Sequence, residues 1–207
     1  MWSPTLKVER RLIKPVVFLA SLAPAIYLVF ALMTSRLGFN PVEVVTHQTG
    51  IWALRFLLIS LAITPLRTLF NMVWVTRFRR MFGLFAFFYA SLHFCVYFLW
   101  DQSLDFRYVI EDVLERPYIT VGFSALLLMV PLAVTSANRL RRRMKKKWNT
   151  LHKLVYPIGL LAVLHFIWLV KADYQEVSVY AVIYAVLMGF RIQPFLKAKF
   201  ARKRSEA

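Results

Sequence analysis

The chain has 207 residues, of which 59% are hydrophobic and 18% are charged, and its formal net charge is +17. Several apolar runs approach or exceed the ~18 residues that a membrane-spanning helix needs, which excludes a soluble globular domain. The basic residues form clusters between these runs, so the charge indicates membrane topology and argues against a nucleic-acid-binding protein.

Six membrane spans are predicted in chain order, at about residues 15–33, 47–66, 81–100, 118–137, 150–170 and 177–190. The first run follows a basic segment but lacks a small-residue cleavage site, so we interpret it as a retained helix rather than a signal peptide. The glycines are isolated, and no nucleotide-binding fingerprint, internal repeat or linker is visible. We therefore expect an all-α fold, in which residues 1–207 form one domain built as a six-helix transmembrane bundle.

The loops between the spans differ in charge. Lys and Arg cluster at residues 7–14, 67–80, 139–147 and 191–204, whereas most acidic residues lie at 101–115 and 173–176. Since short loops rich in Lys and Arg remain cytoplasmic, both termini are predicted to be cytoplasmic, and the polar loop 101–117 to lie outside. A shorter outer loop at 36–46 contains Asn40-Pro41, which is typical of a turn.

Two of the four histidines lie inside predicted spans at a similar depth. His93 lies 13 residues after Arg80, and His165 lies 15 residues after Thr150, near the points where spans three and five leave the cytoplasmic face. At ~1.5 Å per residue both imidazoles lie roughly 20 Å from that face, so they can meet between the two helices. An imidazole in a membrane needs a partner and indicates a functional site, with an interhelical hydrogen bond to Ser or Thr as the structural alternative.

Two facing imidazoles are the ligand set of a six-coordinate b-type haem, which is held without covalent attachment. His93 and His165 are therefore the predicted axial ligands of the haem iron. Because both ligands come from the protein, the arrangement suits electron transfer and leaves no open position for oxygen. Cys95 is the only cysteine and no Cys-x-x-Cys-His sequence is present, which excludes covalently bound c-type haem.

The sequence leaves the roles of the other two histidines open. His152 lies near the cytoplasmic end of span five with no second histidine at its depth, so it is a candidate for a second haem with a non-histidine partner, or for a quinone or flavin site. On an ideal helix His152 lies about 140° around from His165, although Pro157 and Gly159 can alter the winding. His47, at the outer end of span two, is either a cofactor-binding residue or a structural interfacial one.

Arg55 lies about eight residues into span two, at a depth where a charge is costly without a partner. A guanidinium pairs well with carboxylate and phosphate, so Arg55 is a candidate to bind a haem propionate, a quinone or a flavin. Alternatively, its long stem reaches along the helix to the outer surface.

Several short motifs, spread in order over nearly the whole chain, are specific in combination. They include His47-Gln48-Thr49-Gly50, Trp52-Ala53-Leu54-Arg55, Thr64-Pro65-Leu66-Arg67, Leu92-His93, Arg116-Pro117-Tyr118-Ile119 and Leu151-His152-Lys153-Leu154-Val155-Tyr156. In order and spacing these segments resemble the MsrQ family, formerly called YedZ, the haem-binding membrane subunits of bacterial periplasmic methionine-sulfoxide reductase systems.

The resemblance implies a ferric-reductase-like transmembrane domain, related to the membrane parts of NADPH oxidases and STEAP reductases. It implies a bacterial inner-membrane protein that binds b-type haem and is associated with FMN. Electrons would come from the quinone pool, or from a cytosolic flavin reductase, and pass to a periplasmic molybdopterin-containing subunit, MsrP, which reduces methionine sulfoxide in proteins. Sulfoxide reduction itself is thus expected in the partner chain.

The family's functional histidines fall on His93, His152 and His165. The oxidase relatives have a second histidine in span three, but here Arg79 and Arg80 stand at the corresponding distance before His93. The resemblance therefore implies one haem, with a second left open at His152.

Two other classes of function compete with electron transfer. One is a transporter or proton relay that uses Arg55 and the histidines, for which repeated halves with discontinuous helices would be typical. The other is a non-redox assembly subunit, for which the histidines would be dispensable. Without a dinucleotide fold the chain is expected to receive electrons from a membrane quinol or a separate flavoprotein, and loop 101–115 is either a docking surface for the electron acceptor or an ordinary solvated loop.

Overall fold

A computed structural model of the protein describes residues 5–101, 104–170 and 174–205. All regular elements within these residues are helices, and six of them are long and apolar enough to cross a membrane. The predicted all-α fold with six spans is therefore confirmed, and the protein is a multi-pass membrane protein.

Seven helices organise the bundle. In chain order they are α1 (Lys14–Met33), α2 (Pro41–Phe70), α3 (Arg79–Val96), α4 (Phe106–Glu115), α5 (Pro117–Val134), α6 (Val155–Leu169) and α7 (Gln175–Ser205). Shorter helical segments join them: Leu6–Val8 and Glu9–Ile13 before α1, Val73–Arg77 before α3, Tyr97–Asp101 after α3, and Asn138–Met144, Lys146–Leu151 and His152–Leu154 before α6. We call the side of the bundle with the connections 71–78 and 135–145 the basic end, and the side with α4 the acidic end.

Helix α2 begins six residues earlier than the predicted span, which was expected to start at residue 47. Asn40 is its N-cap, since the Asn40 side chain accepts a hydrogen bond from the backbone N–H of Glu43 at 3.3 Å, and Pro41 occupies the first turn, where a missing N–H costs little. Asn40-Pro41 is therefore a helix start rather than a turn within a loop. Asn71 ends α2 in the left-handed conformation, at φ 53°.

Two further segments are more helical than predicted. The outer loop 101–117 contains α4, whose N-cap Asp105 accepts from the backbone N–H of Arg107 at 2.9 Å. The inward face of α4 repeats at helical spacing, with Val109, Asp112 and Val113 on one side. The last helix was expected to end near residue 190, but α7 continues through the basic tail to Ser205.

Helix α2 is the central element of the bundle. Of its most apolar stretch 56% is buried, against 11–22% in the other spans, whose remaining apolar side chains face outward as expected in lipid. One apolar cluster packs α2 against α6 and α7 through Leu54, Leu58, Val163 and Val177 among others. A second cluster packs the opposite side of α2 against α3, α5 and α6, with Phe56 at its centre.

Tyr89 on α3 fastens α1 to this core. Its side chain is fully buried, and its hydroxyl accepts from the backbone N–H of Ala25 at 3.1 Å while donating to the carbonyl of Ser21 at 2.8 Å. The Ser21 carbonyl and the Ala25 N–H are four residues apart, the spacing of a regular α-helical hydrogen bond, and the Tyr89 hydroxyl lies between them. Pro24, which has no N–H to donate, is the neighbouring residue. The Tyr89 hydroxyl thus forms hydrogen bonds with the backbone of α1 beside Pro24.

We expect Tyr89→Phe to lower thermal stability, because the loss of one hydroxyl leaves a buried donor and a buried acceptor without their partner, at a cost of about 1–3 kcal/mol. Thermal unfolding of the detergent-solubilised protein measures the effect. The matched control is Tyr108→Phe, since Tyr108 is exposed. Equal unfolding temperatures for the two variants would contradict the role assigned to this hydroxyl.

Candidate functional site

The imidazoles of His93 on α3 and His165 on α6 lie side by side in the bundle. Their ring centroids are 6.1 Å apart and their planes are inclined by 80°. The two rings therefore meet as predicted from their depth in spans three and five, and their role as iron ligands stays a prediction.

A backbone carbonyl fixes the protonation of each ring. Nδ1 of His93 lies 2.8 Å from the carbonyl oxygen of Thr46, and Nδ1 of His165 lies 2.6 Å from that of Tyr118. A carbonyl oxygen can only accept, so each Nδ1 carries the hydrogen, and each neutral ring has its free lone pair on Nε2. This is how metal-bound histidines are commonly held, with one nitrogen bonded to the protein and the other directed at the metal.

Two glycines make room for these rings. A Cβ atom at Gly122 would lie 2.6 Å from Nδ1 of His165, and one at Gly50 would lie 3.1 Å from Nδ1 of His93. Each glycine stands one helical turn after the residue whose carbonyl accepts the histidine hydrogen bond. These glycines could not be identified from the sequence, because a single glycine in an apolar helix is inconspicuous.

The two histidines belong to matching helix hairpins. In both cases the histidine lies 47 residues after its carbonyl partner, with α2 and α3 forming one hairpin and α5 and α6 the other. Both hairpins run from the acidic end to the basic end and back. No internal repeat is visible in the sequence, and the features that the two hairpins share are one carbonyl, one glycine and one histidine.

A cavity of about 490 Å³ separates the hairpins, a volume typical of cofactor sites. Its walls are mostly apolar, and residues of α2, α3, α5 and α6 contribute, together with α4 at the mouth. Thr46 lines it, and the Thr46 hydroxyl is buried with no hydrogen-bond partner. An unsatisfied buried donor beside a cavity indicates a place for an acceptor group.

The residues present fit a haem. A histidine nitrogen lies about 2 Å from a transition metal and the ring centre roughly 1 Å further, so two rings on opposite sides of one ion have centres about 6 Å apart, close to the observed spacing. Among the described residues no group of three or more His, Cys, Asp and Glu could hold a metal ion. The two histidines can supply two ligands to a metal between them, and in a haem the porphyrin would supply the others to iron.

His47 and Arg55 share a carboxylate at the acidic end. Nε2 of His47 and Nη2 of Arg55 each lie 3.9 Å from a carboxylate oxygen of Glu176. His47 lines the mouth of the histidine cavity, with its ring 6.0 Å from that of Phe166. Arg55 does not line that cavity: its Nε donates to the hydroxyl of Tyr180 at 2.7 Å, and it lines a second cavity of about 740 Å³ between α1 and α2.

His152 lies apart from the histidine cavity, towards the basic end. Its ring stacks on Trp148 with centroids 3.8 Å apart, and its Nε2 lies 3.1 Å from the hydroxyl of Thr135. Arg79 is close enough to act on it electrostatically. The change of winding lies in the 3₁₀ turn His152–Leu154 itself, because Pro157 has no N–H for the carbonyl four residues before it and the preceding turn tightens.

Comparison with known proteins agrees with this architecture. The family model described as ferric reductase like transmembrane component matches residues 49–163. Relatives named "Protein-methionine-sulfoxide reductase heme-binding subunit MsrQ" include one from Xanthomonas euvesicatoria, 55% identical over 80% of this chain and 76% of its own length. Others are from Xanthomonas axonopodis, 51% identical over 90% of this chain and 88% of its own, and Ralstonia nicotianae, 47% identical over 88% and 85%. No solved structure matches.

We expect Gly122→Ala to reduce the haem bound per chain, since the added Cβ forces His165 to move and breaks its bond to the carbonyl of Tyr118, an overpacking cost of about 1–3 kcal/mol. Gly50→Ala is expected to have a smaller effect, because its contact is less close. The control is Gly189→Ala, where a Cβ meets no atom within 4 Å. A pyridine haemochrome assay on purified protein gives the order, and equal haem in all three variants would refute the role of the glycines.

Proposed function

The chain belongs to the MsrQ family within the ferric-reductase-like transmembrane components, and on this premise we propose that it is a membrane electron-transfer subunit that holds a b-type haem between His93 and His165. One observation carries the proposal: two imidazoles from separate hairpins meet at a spacing that admits a metal ion, each with its Nδ1 hydrogen bonded to a carbonyl. When bound, the haem supplies reversible one-electron reduction and oxidation.

The protein residues fix the ligands and keep water away. The carbonyls of Thr46 and Tyr118 hold each ring in one tautomer, so that no proton occupies the Nε2 position. His93 and His165 would hold the haem iron from both hairpins, and such a bound haem would have no open position for oxygen. The apolar walls keep the site dry, which favours electron transfer over side reactions with solvent.

The direction of electron flow follows from topology. We propose that the basic end is cytoplasmic, because the connections that carry most Lys and Arg are short, and that both termini lie on that side of a bacterial inner membrane. The histidine cavity, with α4 at its mouth, then lies towards the periplasm. We propose that electrons leave there to a periplasmic, molybdopterin-containing methionine-sulfoxide reductase subunit of the MsrP kind, which docks on α4.

The donor enters from the opposite side. We propose the quinone pool, with a cytosolic flavin reductase as the alternative donor, because the sequence carries no nucleotide-binding fingerprint. His152, stacked on Trp148 near the basic end, is the candidate entry point, as a quinone or FMN contact or as ligand of a second haem with a non-histidine partner. Arg55 is a second candidate for a quinone or flavin contact, in its own cavity.

A transporter or proton relay is the alternative function. It would need the intramembrane polar groups to form a path across the membrane. In the residues that the structure describes, Arg55 and His47 share Glu176 at the acidic end, while His152 contacts Thr135 and Trp148 near the basic end. A metal-containing group bound by both residues would explain why His93 and His165 lie side by side. This favours electron transfer over transport.

The first test is the optical spectrum of purified protein, oxidised and then reduced with dithionite, with a haemochrome count. We expect a Soret band, a sharp α-band on reduction and about one haem per chain, with two if His152 serves a second site. Replacement of both His93 and His165 by Ala should remove the six-coordinate spectrum held between them, whereas His47→Ala should keep it. A six-coordinate spectrum retained in the double variant would refute the ligand assignment, and a wild-type protein without a Soret band, from cells supplied with haem, would refute the function.

We expect His152→Ala to leave the spectrum of the His93–His165 haem unchanged, because His152 does not line that cavity. If the wild type binds two haems, the variant should keep one. The haemochrome count and the reduced spectrum of the variant decide. Loss of all haem would show that the two ends of the bundle form one cooperative site.

A further inference from the structure

Arg116 is a charged residue at the cavity mouth for which the electron-transfer function gives no role. We propose that Arg116 binds a propionate carboxylate of the haem, and that Asp112 and Tyr97 are positioning residues that hold its guanidinium there. The inference rests on the proposed haem site and adds the residues that recognise the acidic edge of the cofactor.

Arg116 is placed between water and the cavity. It is the single residue that joins α4 to α5, lying outside both helices in an extended conformation. Its side chain lines the cavity and is also 54% exposed, so it spans the mouth. Among the described residues that line the cavity, only Arg116 has a permanent charge.

A short network fixes the guanidinium. Nε of Arg116 lies 3.1 Å from one carboxylate oxygen of Asp112, and the other oxygen accepts a hydrogen bond from the hydroxyl of Tyr97 at 2.7 Å. The Asp112 side chain is only 12% exposed, so it depends on these partners. A hydrogen bond with Tyr118, and the charge of Asp112, raise the pKa of Arg116, which keeps it charged.

The chemistry of the site selects a carboxylate. A guanidinium has five N–H donors in a planar fork, so the bond to Asp112 at Nε leaves further donors for a second carboxylate. Haem b carries two propionates at one edge, and these are costly to place beside an apolar cavity without a charged donor. Thr46, whose buried hydroxyl has no partner, lines the cavity from the other hairpin.

The test compares Arg116→Gln and Arg116→Lys with the control Arg107→Gln, since Arg107 is an exposed arginine of the neighbouring helix α4 and does not line the cavity. Haem transfer to apomyoglobin and the midpoint potential are measured on the haem-loaded protein in nanodiscs. We expect about tenfold faster haem loss from Arg116→Gln, the effect of one charge-assisted hydrogen bond. Its midpoint potential should fall, because a cation beside the haem stabilises the reduced form. Arg116→Lys should lie between, and Arg107→Gln should match the wild type.

The Asp112→Asn variant distinguishes the positioning of Arg116 by Asp112 from the direct electrostatic effect of the Asp112 charge on the haem. Removing a negative charge would by itself raise the midpoint potential, whereas release of the guanidinium should lower it and speed haem loss. Tyr97→Phe should also lower the midpoint potential and speed haem loss, but by a smaller amount. A raised potential with wild-type haem retention in Asp112→Asn would overturn the positioning role.

The outcomes also separate this inference from the proposed function. If the wild type binds haem and Arg116→Gln equals Arg107→Gln in haem loss and potential, the propionate role is wrong and the electron-transfer function stands. A lower unfolding temperature without either change would make the Arg116–Asp112 pair a structural tie between α4 and α5. If Arg116→Gln does not fold, Arg116→Lys and Asp112→Asn decide in its place. A wild type without haem overturns both proposals.

Discussion

The hydrogen bond from a histidine Nδ1 to a backbone carbonyl is the interaction on which the rest of the site depends. In lipid an imidazole must satisfy its polar atoms within the protein. The two rings donate from Nδ1 to the carbonyls of Thr46 and Tyr118, which satisfies one nitrogen of each ring and leaves the lone pair of each Nε2 free for another partner. The close approach that this requires explains why a glycine stands one turn further along each supporting helix.

The bundle around the site is held by packing and by a few specific polar contacts. Lipid provides no hydrophobic driving force between helices, so close contacts and interhelical hydrogen bonds decide how spans associate. At the basic end, Arg80 donates to Ser136 at 2.8 Å and so joins α3 to the end of α5. Arg191 donates to the hydroxyl of Thr64 at 2.9 Å and joins α7 to α2. Arg80 and Arg191 belong to the basic clusters that indicate topology, and they also connect helices.

Some features could be predicted from the sequence because one-dimensional rules govern them. Hydropathy and length identify the six spans, and a constant rise per residue brings His93 and His165 to one depth. The N-terminus of α2 was missed because Asn40-Pro41 is typical both of a turn and of a helix start, and α4 was missed because a short helix rich in polar residues has the composition of a loop. Arg55 shows a different limit: its depth along α2 was predictable, but whether it faces the histidine cavity or a neighbouring one depends on the rotation and packing of three helices.

The matched hairpins have a consequence for how such a protein can arise. Because each hairpin alone carries a complete half-site, with its carbonyl, its glycine and its histidine, two copies of a single hairpin related by a two-fold axis would suffice to clasp a flat cofactor. When both hairpins belong to one chain, the two-fold symmetry is not required, and the sequences of the two hairpins can diverge. Here only the second hairpin is preceded by an amphipathic helix, so the two edges of the clasp face different surroundings.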